Sequence, residues 1–245
     1  MRSSPLIAIA LSALLACTGA APVGAQEQDR DPWEKMNRKV FAFNDTLDTW
    51  LFAPFAKAWR FVLREPVMVS IDNIADNLRT PVYVFNNLVQ LKPRQTFDTI
   101  QRAILNSTLG VAGIIDIASN IGIEASREDF GQTMARWGVP SGPYVVLPLL
   151  GPSTIRDSGG FLVDSPLAVW PFFVNSVFIT VSYTAGVTVN TRALLLDEIA
   201  DAKESALDYY SLARNAYLQR RDALIADREE TPDDTERDLY FFDDE

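Results

Sequence analysis

The most specific chemistry in this chain belongs to Cys17, the one thiol in 245 residues, at the end of Leu14-Leu15-Ala16-Cys17. Met1-Arg2 supply a short positive start and Leu6 to Leu15 an apolar run of ten residues, too short to span a bilayer, which takes about 20. A cysteine at that distance from the start reads as a lipobox. Its thiol becomes a thioether to diacylglycerol, and the new amino terminus after cleavage is acylated as well. One myristoyl-class chain binds a membrane with only about 10⁴ M⁻¹, so three chains make a lasting anchor. Residue 18 is Thr and not the Asp that signals retention in the inner membrane, which directs the lipoprotein reading to the outer membrane. Val23-Gly24-Ala25 offers a second cleavage site. Cleavage after Ala25 would discard Cys17 and leave an ordinary exported protein, so both processing routes stay open.

The rest of the search for chemistry finds mostly exclusions. There is no histidine, which removes Ser-His and Cys-His nucleophiles, imidazole bases and His-ligated metal. No G-x-S-x-G elbow, phosphate-binding Gly-rich loop or C-x-x-C is present. The adjacent acids Glu128-Asp129 and Asp243-Asp244 are expected to be solvated charges, not an acid–base couple. No cofactor is implied and no enzymatic activity is expected. A net charge of −10 with a pI near 4.6 argues against nucleic acid as a partner. Ten of the acids fall in residues 227–245, so much of that charge is expected in a disordered tail.

The elements between signal and tail read as helices. Residues 17–30 are small and polar and form a tether to a folded domain over 31–226. Asp31-Pro32-Trp33-Glu34 has the form of a capping box, with Asp31 as N-cap. Trp33, Met36, Val40, Phe43, Leu47 and Trp50 then make one apolar stripe along a helix, while Phe41, Phe52 and Phe55 lie off it. Pro66, Pro81 and Pro93 divide the next block into helices near 67–79, 81–91 and 94–109. Asn73, Asn77, Asn86 and Asn87 lie among its apolar positions and read as core asparagines bonded to neighbouring backbone.

Three long stretches in the middle carry no charge, at 103–115, 137–155 and 165–191. The first suits a core helix or a segment dipping into a membrane. The second is broken by glycine and proline and predicts a hairpin around Tyr144-Val145-Val146-Leu147. The third is long enough to span a bilayer, yet Pro166 and Pro171 break its front and Gly186 with Val187 to Val189 hardly continues a helix. A broken, partly embedded helix pair is the preferred reading, with a buried hairpin and a true span as alternatives. Beyond Arg192, a face of Leu195, Ile199, Ala202, Ala206, Tyr209, Ala213, Tyr217 and Leu224 lies opposite Asp201, Glu204, Asp208, Arg214 and Arg221, which reads as one or two solvent-facing amphipathic helices.

Several long strings resemble the MlaA (VacJ) family of outer-membrane lipoproteins. They are DPWEKMNRKVFAFND at 31–45, NNLVQLKPRQ at 86–95, LNSTLGVAGIIDIAS at 105–119, EDFGQTMARWGVPSGPYVVLPLLGPSTIRD at 128–157 and TRALLLD at 191–197. The resemblance implies a mainly α fold: a ring-like helical domain embedded in one membrane leaflet, with a short Gly/Pro-rich hairpin and an amphipathic pore. It implies removal of phospholipid from the outer leaflet, transfer to the soluble periplasmic carrier MlaC, and association with porin trimers. The matching N-terminal motif makes Asn37, Phe41, Phe43 and Asn44 the candidates for the lipid path, although Phe43 also lies on the packing stripe. The matching Gly/Pro-rich segment makes Gly142, Pro143, Tyr144, Leu147 and Pro148 the candidate pore hairpin. The alternative is a structural lipoprotein that scaffolds porins without moving lipid. No nucleotide site is present, so any direction of transfer must be imposed by another component.

Overall fold

The computed structural model describes residues 30–168 and 177–227. Cys17 and the signal, most of the tether, residues 169–176 and the tail after Asp227 lie outside the described residues. The chain enters the fold through α1 (Glu34–Leu47), passes one π-helical turn at Asp48–Phe52 and continues as α2 (Ala53–Val62). Pro54 explains the turn: it has no N–H to give the carbonyl of Trp50, and the helix widens by one residue just before it. Helices α3 (Glu65–Leu78), α4 (Thr80–Val89) and α5 (Pro93–Thr108) follow, each with proline at its first or second position as the sequence predicts. After the short α6 (Ile117–Asn120) and α7 (Phe130–Arg136) come β1 (Tyr144–Leu147) and β2 (Gly151–Thr154). These pair antiparallel, Tyr144 opposite Thr154 and Leu147 opposite Gly151, as the expected hairpin. The chain ends in α8 (Ile155–Asp164), α9 (Val177–Leu194), α10 (Leu196–Ser205) and α11 (Tyr209–Ile225).

Several sequence expectations change. Asp31 is not an N-cap: α1 begins at Glu34 and Trp33 gives it no side-chain cap. The Asp31 carboxylate turns inward, 2% exposed, where it accepts from Asn37 Nδ2 (2.7 Å) and the Tyr210 hydroxyl, partners more than a helix turn away that a capping motif does not anticipate. Gly186 and its valine neighbours do not end a helix, because α9 runs through them. A single glycine costs a helix about 1 kcal/mol, and packing of α9 against α2 and α3 outweighs it. Among the described residues no helix is long and apolar enough to cross a membrane. Asp227 is not part of a free tail, since it closes ion pairs with Lys92 and Arg136 (2.8 Å).

Helices α7 and α8 touch at two glycines. A Cβ on Gly160 would stand 2.4 Å from the Gly131 nitrogen and 2.9 Å from its Cα. Backbone cannot give way as a side-chain tip can. Gly160→Ala is therefore expected to destabilise the fold by about 1–3 kcal/mol. Gly159→Ala, whose Cβ meets only Met134 Cε at 3.9 Å, should be nearly neutral in the same unfolding measurement.

Candidate functional site

The distribution of polar and apolar side chains is inverted. Among the described residues only 10 hydrophobic side chains are buried, against 17 buried polar or charged ones, while 34 large hydrophobic side chains are exposed. The α1 stripe shows how this arises. Trp33, Met36, Phe43 and Trp50 face outward, Trp50 at 81% exposure, and the polar side of the same helix faces the protein. Each such side chain left in water forfeits about 1.5–3 kcal/mol of burial. So much exposed apolar surface on one domain marks a face built to meet an apolar partner or a membrane.

The inward side of α1 meets the hairpin. Asn37 is fully buried; its Nδ2 donates to the Tyr144 carbonyl (3.1 Å) and its Oδ1 accepts from Val146 N–H (3.0 Å). Two helical turns on, Asn44 repeats the contact: Nδ2 to the Leu147 carbonyl (2.9 Å) and Oδ1 from Leu149 N–H (2.9 Å). Seven helical residues rise about 10.5 Å and three strand residues about 10 Å, so the two asparagines keep step with β1 like an extra strand. The structure thus brings Asn37 and Asn44 together with Tyr144 and Leu147. Of the two phenylalanines, Phe41 joins the same buried cluster of Tyr144, Val146 and Tyr210, and only Phe43 is turned away. Phe41 packs edge-on to Tyr210 (5.4 Å) and against Tyr209 (5.3 Å), and Phe43 is 52% exposed on the outward stripe. Gly142 turns with φ +68°, and the Pro143 carbonyl accepts from Ile155 N–H (3.2 Å). Beyond Pro148, Leu149 at φ +67° and Leu150 project at the exposed hairpin tip.

A second site is a small polar cleft of about 30 Å³, widely open to solvent, between α3, α4, α5 and the chain near Ser126. Asn73, Asp76, Asn77 and Thr80 line one wall; Thr99, Arg102 and Asn106 line the other. The sequence predicts all four asparagines of this block as core residues bonded to backbone, and the buried Asn86 and Asn87 do bond helix carbonyls at Val82 and Tyr83. The two cleft asparagines do not: Asn77 reaches Ser107 Oγ (3.0 Å) and Asn73 the Ile114 carbonyl (3.4 Å). The three- and four-residue spacing of both polar rows was the available signal. Seeing that they face each other requires the fold.

The floor of the cleft is fully bonded. Arg102 reaches Asp116 Oδ2 (2.8 Å), Ser119 Oγ (3.1 Å) and the Ile123 carbonyl, and Asn106 Nδ2 reaches Asp116 Oδ1 (3.0 Å). Burial pushes the Asp116 carboxyl up, but hydrogen bonds from Ser119 and Asn106 and the Arg102 charge outweigh it and bring it down to about 2. At the mouth, Asp76 accepts from the Tyr83 hydroxyl (2.7 Å) and pairs with Arg127 (3.0 Å). Burial and the Asp76 charge raise the Tyr83 phenol, so it stays a protonated donor.

A tight loop flanks this cleft. Val111, Ala112 and Gly113 all have φ between 52° and 92°, and a Cβ on Gly113 would press Asn77 Cβ at 3.0 Å. A valine held there costs about 1–2 kcal/mol. The loop keeps this shape through Gly113 N–H to the Asn106 carbonyl (2.8 Å) and Ile115 N–H to the Gly110 carbonyl (3.0 Å). It leaves Leu109, Val111, Ile114 and Ile115 exposed next to polar lining. The uncharged stretch 103–115 is therefore the end of a helix and an apolar loop.

Of the adjacent acids, Glu128 and Asp129 are ion-paired, Asp129 while 39% exposed, and Asp243-Asp244 lie outside the described residues. Glu128 is 6% exposed and holds the equally buried Lys92 (2.7 Å); Asp129 caps α7 and binds Arg221 (2.5 Å). Arg221 faces the interior and not solvent, 11% exposed, because Asp129 and Asp157 (2.9 Å) draw it there.

A helical domain with an apolar exterior, buried asparagines and a polar cleft defines a lipid-contacting protein class, and comparison with known proteins narrows it. The chain belongs to the MlaA lipoprotein family, whose profile matches residues 29–224. An uncharacterised protein of Rickettsia prowazekii is 40% identical over 80% of this chain and 78% of its own. The intermembrane phospholipid transport system lipoprotein MlaA of Escherichia coli is 35% identical, covering 89% and 88%, and that of Haemophilus influenzae 31% identical, covering 98% and 100%. A solved structure from work on the structural basis for maintenance of bacterial outer membrane lipid asymmetry superposes with a TM-score of 0.69 at 33% identity. It covers 80% of this chain, which covers 98% of that one.

Proposed function

We propose that this chain is an outer-membrane lipoprotein that removes mislocalised phospholipid from the outer leaflet and passes it to a periplasmic carrier, so maintaining lipid asymmetry. The observation that supports it most is the inverted surface. A protein sitting in hydrocarbon needs an apolar outside, and one that moves a charged head group through that hydrocarbon needs polar groups inside, since an unpaired polar or charged group in an apolar medium costs several kcal/mol. The names of the E. coli and H. influenzae relatives agree with this reading. In it the domain lies in the periplasmic leaflet as a ring around an amphipathic pore, anchored by acyl chains on Cys17. The soluble carrier MlaC receives the lipid, and porin trimers hold the lipoprotein in place. In this reading the joint of α1 and the hairpin, where the buried Asn37 and Tyr144 and the half-buried Phe41 position Asn44, Gly142, Pro143, Leu147 and Pro148, borders the lipid path, Phe43 faces outward beside it, and the polar cleft with its apolar loop forms a second part of the path.

The test is extraction followed by transfer. Protein purified from membranes should carry phospholipid detectable by mass spectrometry, and added MlaC should remove it. A clean deletion should raise outer-leaflet phospholipid and detergent sensitivity. A Cys17-acylated protein that carries no phospholipid and whose loss leaves asymmetry intact would leave the porin-scaffold reading in its place.

A further inference from the structure

The polar cleft pairs its charges in two different ways. Asp76 and Asp116 stand against Arg102 and Arg127, so its ionised lining sums to zero. The inner pair is closed to a ligand: Arg102 is 8% exposed and its terminal nitrogens are already bonded to Asp116, Ser119 and Ile123. The outer pair is open. Arg127 holds Asp76 through Nε (3.1 and 3.2 Å) and one terminal nitrogen (3.0 Å), while its side chain remains 60% exposed. Exposed pairs of this kind contribute little to stability and exchange partners readily. On either side of Asp76 in the sequence, Asn73 and Asn77 use their amide nitrogens on Ile114 and Ser107, and among the described residues no donor meets their side-chain oxygens. The mouth therefore offers a guanidinium edge beside three uncharged or anionic acceptors.

We infer that this cleft recognises the zwitterionic head group of an aminophospholipid, with the phosphate on the outer edge of Arg127 and the primary ammonium on Asp76, Asn73 and Asn77. The inference rests on the lipid-conduit reading above and gives it a head-group preference. A primary ammonium brings three donors and no acceptor, which the carboxylate and two amide oxygens can satisfy together. A phosphoglycerol head group has no cation. Its phosphate can still meet Arg127, but it brings no ammonium to balance Asp76, and its hydroxyls form weaker, uncharged hydrogen bonds there. The loop that carries the exposed Leu109, Val111, Ile114 and Ile115 abuts the cleft at Asn73 and Asn77 and offers apolar surface to acyl chains.

The experiment offers the purified full-length lipoprotein an equimolar mixture of phosphatidylethanolamine and phosphatidylglycerol with identical acyl chains, in mild detergent, and counts bound lipid by native mass spectrometry. Wild-type protein is expected to retain the ethanolamine lipid over the glycerol lipid by about threefold or more, the scale of one exposed ion pair. Asp76→Asn should erase or reverse that preference. Because Asp76 also holds Tyr83, the double variant Asn73→Ala, Asn77→Ala serves as a second probe and should reduce the preference in a protein that keeps the carboxylate. Soluble glycerophosphoethanolamine, which has the head group and no chains, should not displace bound lipid at equal concentration. If it does, the ligand is a free head group and the lipid assignment falls. Equal retention of the two lipids by wild-type protein, or a preference untouched in both variants, overturns the inference and leaves the conduit intact. Wild-type protein that binds neither lipid overturns the conduit reading itself.

Discussion

Replacing Arg221 with methionine is expected to destabilise the folded protein by about 1–3 kcal/mol near pH 7: the guanidinium is buried, but the Asp129 carboxylate it strands is 39% exposed, so water screens part of the loss. The guanidinium joins three helices. It reaches Asp129 at the start of α7 (2.5 and 3.0 Å) and Asp157 in α8 (2.9 Å) from α11. Asp157 has further partners in Arg156 (3.0 Å) and the Tyr217 hydroxyl (2.7 Å), so Asp129 is the carboxylate left without a cation. Methionine fills similar volume, which confines the loss to charge and hydrogen bonding.

The pH dependence gives this prediction its signature. Burial raises both carboxyls, but Arg221 and the other donors hold both below the usual carboxylate range. A depressed folded-state pKa stabilises the protein above the unfolded value of about 3.9, and that stabilisation is lost as pH falls through the carboxylate range. In the methionine variant burial acts on Asp129 with no cation to oppose it, so the carboxyl takes up a proton at higher pH and the penalty is relieved. The gap between wild type and variant should therefore be widest near pH 7 and narrow toward pH 4. Chemical unfolding of the detergent-solubilised proteins across that range measures it; a deficit under about 1 kcal/mol, or one independent of pH, would refute the role given to Arg221.

Why sequence reading placed Arg221 on a solvent face is a question about periodicity. A 3.6-residue repeat reports that one side of a helix differs from the other, not which medium each side meets. On α11 the partners of Arg221 lie 92 and 64 residues earlier in the chain, beyond any local pattern. On α1 the apolar stripe was legible and its direction was not. Trp33, Met36, Phe43 and Trp50 have the spacing of a core stripe, yet they face out, and the asparagine side faces in. What was legible came from residues with strong local geometry. Pro66, Pro81 and Pro93 set the starts of α3, α4 and α5 within two residues, and the Gly/Pro punctuation around Tyr144 to Leu147 located the hairpin. The family likeness was legible because long near-continuous strings match. The polar cleft was not, since Asn73 and Asn77 acquire their meaning only when Thr99, Arg102 and Asn106 stand opposite them.

Asn37→Ala is the second large effect to expect, at about 2–5 kcal/mol, and it tests the joint between α1 and the hairpin. The substitution removes the donor to the Tyr144 carbonyl, the acceptor for Val146 N–H and one donor to the Asp31 carboxylate (2.7 Å), at a position with no access to water. Each buried group left unsatisfied costs about 1–3 kcal/mol, and two backbone groups on one strand are orphaned together. For a domain of this size that corresponds to a fall in Tm of roughly 5–15 °C. Asn44→Ala is the internal control. It breaks the same pair of bonds at the outer end of β1, where Leu149 is 67% exposed and water can replace the amide, so the loss should stay near 1 kcal/mol. Asn37→Asp preserves the shape and removes the donor. It also sets a carboxylate against Asp31, so at neutral pH it should be at least as damaging as alanine and should recover as acid protonates one of the two. If Asn37→Ala and Asn44→Ala cost the same, the buried amide is not what registers the hairpin on α1, and the aromatic contacts of Phe41 and Tyr144 with Tyr210 must position it instead.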